Sequence, residues 1–270
     1  MRSGEVELAV RETGPADGRP VVLLHGLATN REYVLMRSSK LERSGYRVIA
    51  YDARGHGRSS PPAGSDAYEY DLLLGDLLAV MDARQVERAL LVGVSMGAHT
   101  ALKAALEVPE RAHALVAITP AYGVDRDLHR KSIASADRLA AALRSDGIEG
   151  FVSTFEYPPA SENLTEAFRT AQRRQLSQHA SLDSVADALE VVMRAKPYGL
   201  DDLARVQAPT LIVASHDEYD TEHPYATAER YVQVIPGARL VCEEPGRKPL
   251  AWNGGALAKH VLALAEETGW

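Results

Sequence analysis

The sequence predicts an α/β fold, a mostly parallel central sheet flanked by helices, with a helical segment inserted into it. Three observations carry this expectation. Short apolar runs alternate with helical spacing through the first half of the chain. The alternation then gives way to helical pattern alone, from about Val124 to Gln207. After that the strand pattern resumes.

Val21-Val22-Leu23-Leu24, Tyr46 to Tyr51, Leu90-Leu91-Val92 and Ala114 to Ile118 are short apolar runs of the kind that buried strands show. Between them, Leu73, Leu74, Leu77, Leu78 and Met81 recur at helical spacing. Ala98, Ala101 and Ala105 give the next helix a small face that can lie close against a sheet, and Pro109 ends it. Strand and helix in alternation imply parallel strands covered on both faces. In the middle of the chain Ile133, Ala136, Ala140 and Leu143, then Leu164 and Phe168, then Val185, Leu189 and Val192 keep helical spacing. Gly147 and Pro158-Pro159 punctuate these pieces. Strands return at Thr210 to Ala214 and Ala238 to Cys242, and a closing helix runs from about Trp252 to Glu267. The expected organisation is a core in two parts, residues 1–123 and 208–270, with a helical cap at 124–207. All three phenylalanines, Phe151, Phe155 and Phe168, fall in the insertion. They are expected to serve partly as its own small core and partly as the wall of an apolar substrate pocket.

Composition narrows the class. A chain of 270 residues, 46% hydrophobic and 25% charged, is an ordinary globular one. Its net charge of −7, with no Lys/Arg cluster to meet phosphates, argues against nucleic acid. The N-terminus lacks an apolar h-region, so no secretory signal is expected. No run reaches the roughly 18 apolar residues of a membrane span. Cys242, the single cysteine, excludes an internal disulfide, fits a reducing cytoplasm, and reads as a buried inert thiol. Oligomeric state is not legible.

The chemistry concentrates at Gly93-Val94-Ser95-Met96-Gly97. This G-x-S-x-G follows an apolar strand pattern and opens a helical one, the context in which the motif forms a nucleophile elbow. Its glycines permit a tight, strained turn that leaves the serine oxygen exposed at the tip. The backbone N–H of Met96, at the start of the following helix, is a natural oxyanion donor.

Further motifs follow in order. Leu24-His25-Gly26-Leu27 comes after one strand, and Tyr51-Asp52-Ala53-Arg54-Gly55-His56-Gly57-Arg58-Ser59 after the next. After the helical segment come Pro209 to Val213 and, just beyond, Asp217. Over nearly its whole length the chain thus resembles the α/β-hydrolase-fold superfamily, of the G-x-S-x-G serine hydrolase type with a helical cap. The resemblance implies Ser95 as nucleophile, the N–H of Leu27 as second oxyanion donor, and His25 as the residue that orders the oxyanion loop. It implies Asp217 as the triad acid, with Asp220 the alternative. Asp52 and Arg54 read as loop-fixing groups and His56 as a residue near the rim. A serine at the elbow differs from the haloalkane dehalogenases and epoxide hydrolases of this fold, which need a carboxylate there. Neither a metal nor a cofactor is implied.

One element departs from the pattern. The family's general base is a histidine in the loop after the last strand, and Glu243 to Trp252 contains none. Lys248, or Arg247 with a shift of one, stands at that place. Lys248 would need its reference pKa of about 10.4 brought down toward neutrality, which a nearby Asp217 opposes. His223, before Pro224 in the loop that bears Asp217, is the best-placed histidine; His216 and His260 are weaker candidates. The leading expectation is a serine-dependent ester or acyl hydrolase acting on a small apolar substrate with Ser95, Asp217 and His223. The alternatives are a non-hydrolytic enzyme of this fold (cyclisation, elimination or proton transfer) and a catalytically inactive small-molecule binder.

Overall fold

The computed structural model describes the chain except for residues 65, 123–124, 217–219, 221 and 244–251. Its first strands, β1 (Arg2–Ser3) and β2 (Val6–Glu7), pair with each other as an antiparallel ribbon. The main sheet is built from β3 (Val10–Thr13), β4 (Pro20–Leu24), β5 (Arg47–Tyr51), β6 (Ala89–Val94), β7 (Ala112–Ile118), β8 (Thr210–Val213) and β9 (Arg239–Val241). Their order is β3-β5-β4-β6-β7-β8-β9, with β3 antiparallel to β5 and every other pairing parallel.

Alternation along each strand divides the core in two. Val22 and Leu24 of β4, Leu91 of β6, Leu115 and Ala117 of β7 and Ile212 of β8 point to one face. They meet Leu77, Val80 and Met81 of α2 (Tyr70–Ala83) and Ala98, Ala101 and Ala105 of α3 (Met96–Glu107). Val21 and Leu23, Leu90 and Val92, Val116 and Val213 point to the other face. There they meet Leu41 of α1 (Lys40–Arg43) and Leu257, Val261 and Leu264 of the C-terminal helix (Gly254–Glu267). Each such valine, leucine or isoleucine removed from water contributes about 1.5–3 kcal/mol, so the sheet is stabilised from both sides.

Between β7 and β8 the described residues form α4 (Arg126–Thr154), α5 (Glu162–Leu176) and α6 (Leu182–Arg194), followed by a 3-10 helix at Leu200–Arg205. The carboxylate of Asp125 accepts from the N–H groups of Asp127 and Leu128, while Ser161 and Ser181 cap α5 and α6 through their hydroxyls. Gly147, at φ 61°, bends α4. Ala136, Leu139 and Ala140 of α4 pack on Val185, Ala186 and Leu189 of α6, with Phe151 beside them. The last helices in chain order are α7 (Tyr225–Val234), between β8 and β9, and the C-terminal helix just named, α8. No helix of the described residues is long and apolar enough to cross a membrane.

The chain leaves β4 for β5 on one side and returns to β6 on the other. A crevice at the carboxyl ends of the strands forms where the order reverses in this way. The elbow and the loop after β4 lie there.

Candidate active site

Ser95 follows β6 directly and caps α3 with φ 48° and ψ −110°. Alanine-like residues avoid this region, so the conformation costs on the order of 1–3 kcal/mol unless the surroundings hold it. Two backbone bonds do: Ser95 N–H donates to Ile118 O at 2.9 Å, and His99 N–H donates to Ser95 O at 3.0 Å. Close approach explains the flanking glycines. A Cβ on Gly93 would lie 2.2 Å from Gly97 O, and one on Gly97 would lie 2.2 Å from Leu24 O. The strand, the helix and the end of β4 therefore meet through bare backbone.

His223 lies in the loop after β8, just before α7. The Ser95 Oγ–H donates to His223 Nε2 at 3.0 Å, and His223 Nδ1–H donates to Asp220 Oδ1 at 2.8 Å. Burial works to raise the Asp220 pKa, but the His223 charge, its hydrogen bond and the N–H groups of His223 and Glu222 outweigh it, so the carboxyl titrates low. For His223, burial works downward, and Asp220 first and Glu222 second carry the net pKa above its usual 6.5. Asp217, the acid expected from the sequence, lies outside the described residues, as do Arg247 and Lys248. Among the described residues, Asp220 is the carboxylate that meets His223.

The loop after β4 is oriented by its carbonyls. Ala53 N–H donates to His25 Nε2 at 2.9 Å, which leaves the ring proton on Nδ1 to donate to Gly26 O at 2.7 Å. Thr29 donates to the same oxygen through Oγ1 at 2.8 Å. In a trans peptide the N–H points opposite to the C=O. Pinning Gly26 O thus aims the Leu27 N–H away from His25. Gly26, Leu27, Ser95 and Met96 all line one cavity. The Met96 N–H, at the head of α3, has no carbonyl four residues back within its helix.

That cavity has a volume of about 360 Å³. Leu139, Phe151, Phe155, Leu176, Leu189 and Val192 supply apolar walls from α4, α5 and α6. Polar side chains line it too, among them His129, Ser135, Gln172 and Gln175. Ser132 Oγ–H donates to Glu222 Oε2 at 2.6 Å near His223, and among the described lining residues there is neither Lys nor Arg.

A hydrogen-bonded network runs inward from the cavity wall at His99, Ala121 and Tyr122. Tyr231 donates to Tyr122 O at 2.8 Å, so Tyr198 donates to Tyr231 and His99 Nδ1–H donates to Tyr198. His99 Nε2 accepts from Ala121 N–H. Burial pushes the His99 pKa down to about 3. The sequence carried no signal for this network beyond the presence of tyrosines.

Other expectations fared differently. Asp52 does fix its loop, through Arg31 and the N–H groups of Arg31 and Arg58, and Arg54 grips Asp76 with two bonds of 2.8 Å. His56 is not at the rim. It is fully buried, with Nδ1–H on Arg54 O at 2.9 Å, because the turn folds inward over Asp52 rather than outward. Cys242 is half-buried just past β9, and its thiol donates to Glu243; burial first, then that carboxylate, pushes its pKa up to about 11. Among the described residues no group of three or more His, Cys, Asp or Glu is placed to hold a metal.

The buried histidines make a stability prediction. Burial lowers the pKa of His25, His56, His99 and His179 below 6.5, to about 3 for His99 and about 4 for His179. The unfolded chain then binds protons that the folded chain refuses. Stability is fully present above about pH 6.5 and falls with pH by up to about 1.4 kcal/mol per pH unit for each such group. His223, with its raised pKa, works the other way and is outnumbered. The urea midpoint should therefore drop steeply between neutral pH and pH about 5. A flat midpoint over that range would contradict the neutral assignment.

Known proteins are similar to this chain in sequence and in fold. The family model for the alpha/beta hydrolase fold matches residues 19–223. A 2-hydroxy-6-oxononadienedioate/2-hydroxy-6-oxononatrienedioate hydrolase of Pseudomonas putida is 29% identical over 260 residues, covering 94% of this chain and 86% of that protein. The structure of a hydrolase from Pseudomonas aeruginosa is similar with a TM-score of 0.75 and 26% identity, over 100% of both chains. The enol-lactonase of Burkholderia xenovorans shares the fold, with a TM-score of 0.78 at 22% identity over 98% of both. Elbow, loop, sheet order and sequence together place the chain in the α/β-hydrolase fold family.

Proposed function

We propose that this protein is a serine hydrolase that cleaves a carboxylic ester or related acyl bond in a small, largely apolar substrate. The observation that carries the reading is the continuous line from Ser95 Oγ to His223 Nε2 and from His223 Nδ1 to Asp220. His223 takes the proton of Ser95 as its oxygen attacks the acyl carbon. The N–H groups of Leu27 and Met96 receive the developing oxyanion. His223 then passes its proton to the leaving group, and water repeats the sequence on the acyl-serine. Asp220 keeps the Nδ1 proton in place and stabilises the imidazolium.

This triad differs from the family pattern in one way. Acid and base share one loop, three residues apart, so the loop after β9 need not supply a histidine. The P. putida relative is named for a dicarboxylate substrate. Here Glu222 lines the cavity beside His223, and its carboxylate disfavours a second negative charge, which favours a neutral substrate.

The test is turnover of p-nitrophenyl esters of short and medium acids. Ser95→Ala is expected to lower kcat by about 10⁴-fold or more while still binding substrate. Undiminished turnover in Ser95→Ala would remove the serine from the mechanism.

A further inference from the structure

We infer that His179 is a positioning residue for the oxyanion loop, delivered by the helical segment between β7 and β8. The inference rests on the serine-hydrolase reading above. His179 lies between α5 and α6, on residues that touch two loops of the sheet domain at once. Gly57 N–H donates to His179 Nδ1 at 2.9 Å, which leaves Nε2–H to donate to Ala28 O at 3.2 Å. Ala180 N–H donates to Gly57 O at 2.8 Å, and Gln178 bonds Asn30 and Tyr33. The loop after β4 is thus held from the far side by a neighbour that the elbow itself does not provide.

Why the loop needs holding follows from its backbone. Thr29 N–H donates to Gly26 O at 3.3 Å, closing a four-residue turn with Leu27 and Ala28 at its centre. Ala28 has φ 56°, a left-handed conformation that alanine disfavours and glycine usually fills. Left alone, the turn gains by rotating Ala28 back to negative φ; the Leu27–Ala28 and Ala28–Thr29 peptides turn with it, and Thr29 N–H then leaves Gly26 O, the carbonyl of the peptide that carries Leu27 N–H. His25 fixes Gly26 O on one side of this turn, and His179 fixes Ala28 O on the other. His56 packs between the two rings, with centroids 5.2 Å from His25 and 5.7 Å from His179. Burial keeps His179 neutral, with a pKa near 4, so that one nitrogen accepts and the other donates. Seating of α5 and α6 is thereby coupled to the aim of an oxyanion donor, and His179 acts through Leu27 without touching substrate.

The experiment compares His179→Ala and His179→Gln with the parent. It reads kcat and KM for p-nitrophenyl butyrate, and affinity for a trifluoromethyl ketone, which forms a tetrahedral adduct, against the matching methyl ketone. His179→Ala is expected to lower kcat by about 10- to 100-fold, less than the about 10²–10³-fold for outright loss of an oxyanion donor. KM should move less than about threefold, and affinity for the trifluoromethyl ketone should fall in step with kcat while that for the methyl ketone holds. His179→Gln, whose amide can accept from Gly57 and donate to Ala28, should recover most of the loss. Parent-like kcat in His179→Ala, or equal loss of affinity for both ketones, would overturn the inference. A parent protein that neither turns over the ester nor forms the ketone adduct would instead overturn the serine-hydrolase reading on which it rests.

Discussion

Replacing His223 with alanine is expected to lower kcat/KM for a neutral ester by about 10⁴- to 10⁶-fold, with the fold retained. The expectation follows from the single bond of 3.0 Å between Ser95 Oγ and His223 Nε2. A serine hydroxyl is a weak nucleophile until a base takes its proton; of the cavity's histidines His99, His129 and His223, it is His223 that bonds Ser95 Oγ, while His99 has both ring nitrogens engaged. His223 is also expected to set the pH dependence. The base works only when neutral, and its pKa lies above 6.5 because Asp220 and Glu222 outweigh burial. The rate should rise with pH through an inflection above 6.5 to a plateau. Glu222→Gln should move that inflection downward. Full activity in His223→Ala would return the question of the base to the loop after β9.

Asp220→Asn should cost about 10³- to 10⁴-fold in kcat with little change in KM. The asparagine amide donates where the carboxylate accepted, so Nδ1 becomes an acceptor and the ring proton moves to Nε2. In that tautomer His223 cannot receive the Ser95 proton. Asp217→Asn is the control, and the same assay should find it within a few-fold of the parent. The reverse outcome, a large loss at Asp217 and none at Asp220, would assign the acid to Asp217.

How far the site could be read from residues alone depended on how local the physics was. The elbow was legible because the features that make it are contiguous: an apolar strand, two glycines where backbones touch, a serine and a small-faced helix. The family was legible for the same reason, through motifs that recur in order. The acid was harder. Asp217, Glu218 and Asp220 crowd into one short stretch. Choosing among them needs the turn that sets Asp220 and His223 facing each other, and composition does not encode that turn. The lack of a histidine in Glu243 to Trp252 directs attention to His223, but its distance from Ser95 is set by long-range folding that no local pattern encodes. His56 departs from its expected place near the rim for a related reason. A histidine between two glycines reads as exposed, yet buried Asp52 draws its turn inward. His179 gave no signal at all, since its partners Gly57 and Ala28 are backbone groups more than a hundred residues away in sequence.

Activation of Ser95 is tested most directly by labelling with a fluorophosphonate probe, read by intact mass and peptide mapping. The protein should take up one probe, on Ser95, promptly at neutral to mildly alkaline pH, and His223→Ala should take up essentially none over the same time. No label on Ser95 over hours, or equal labelling without His223, would contradict it.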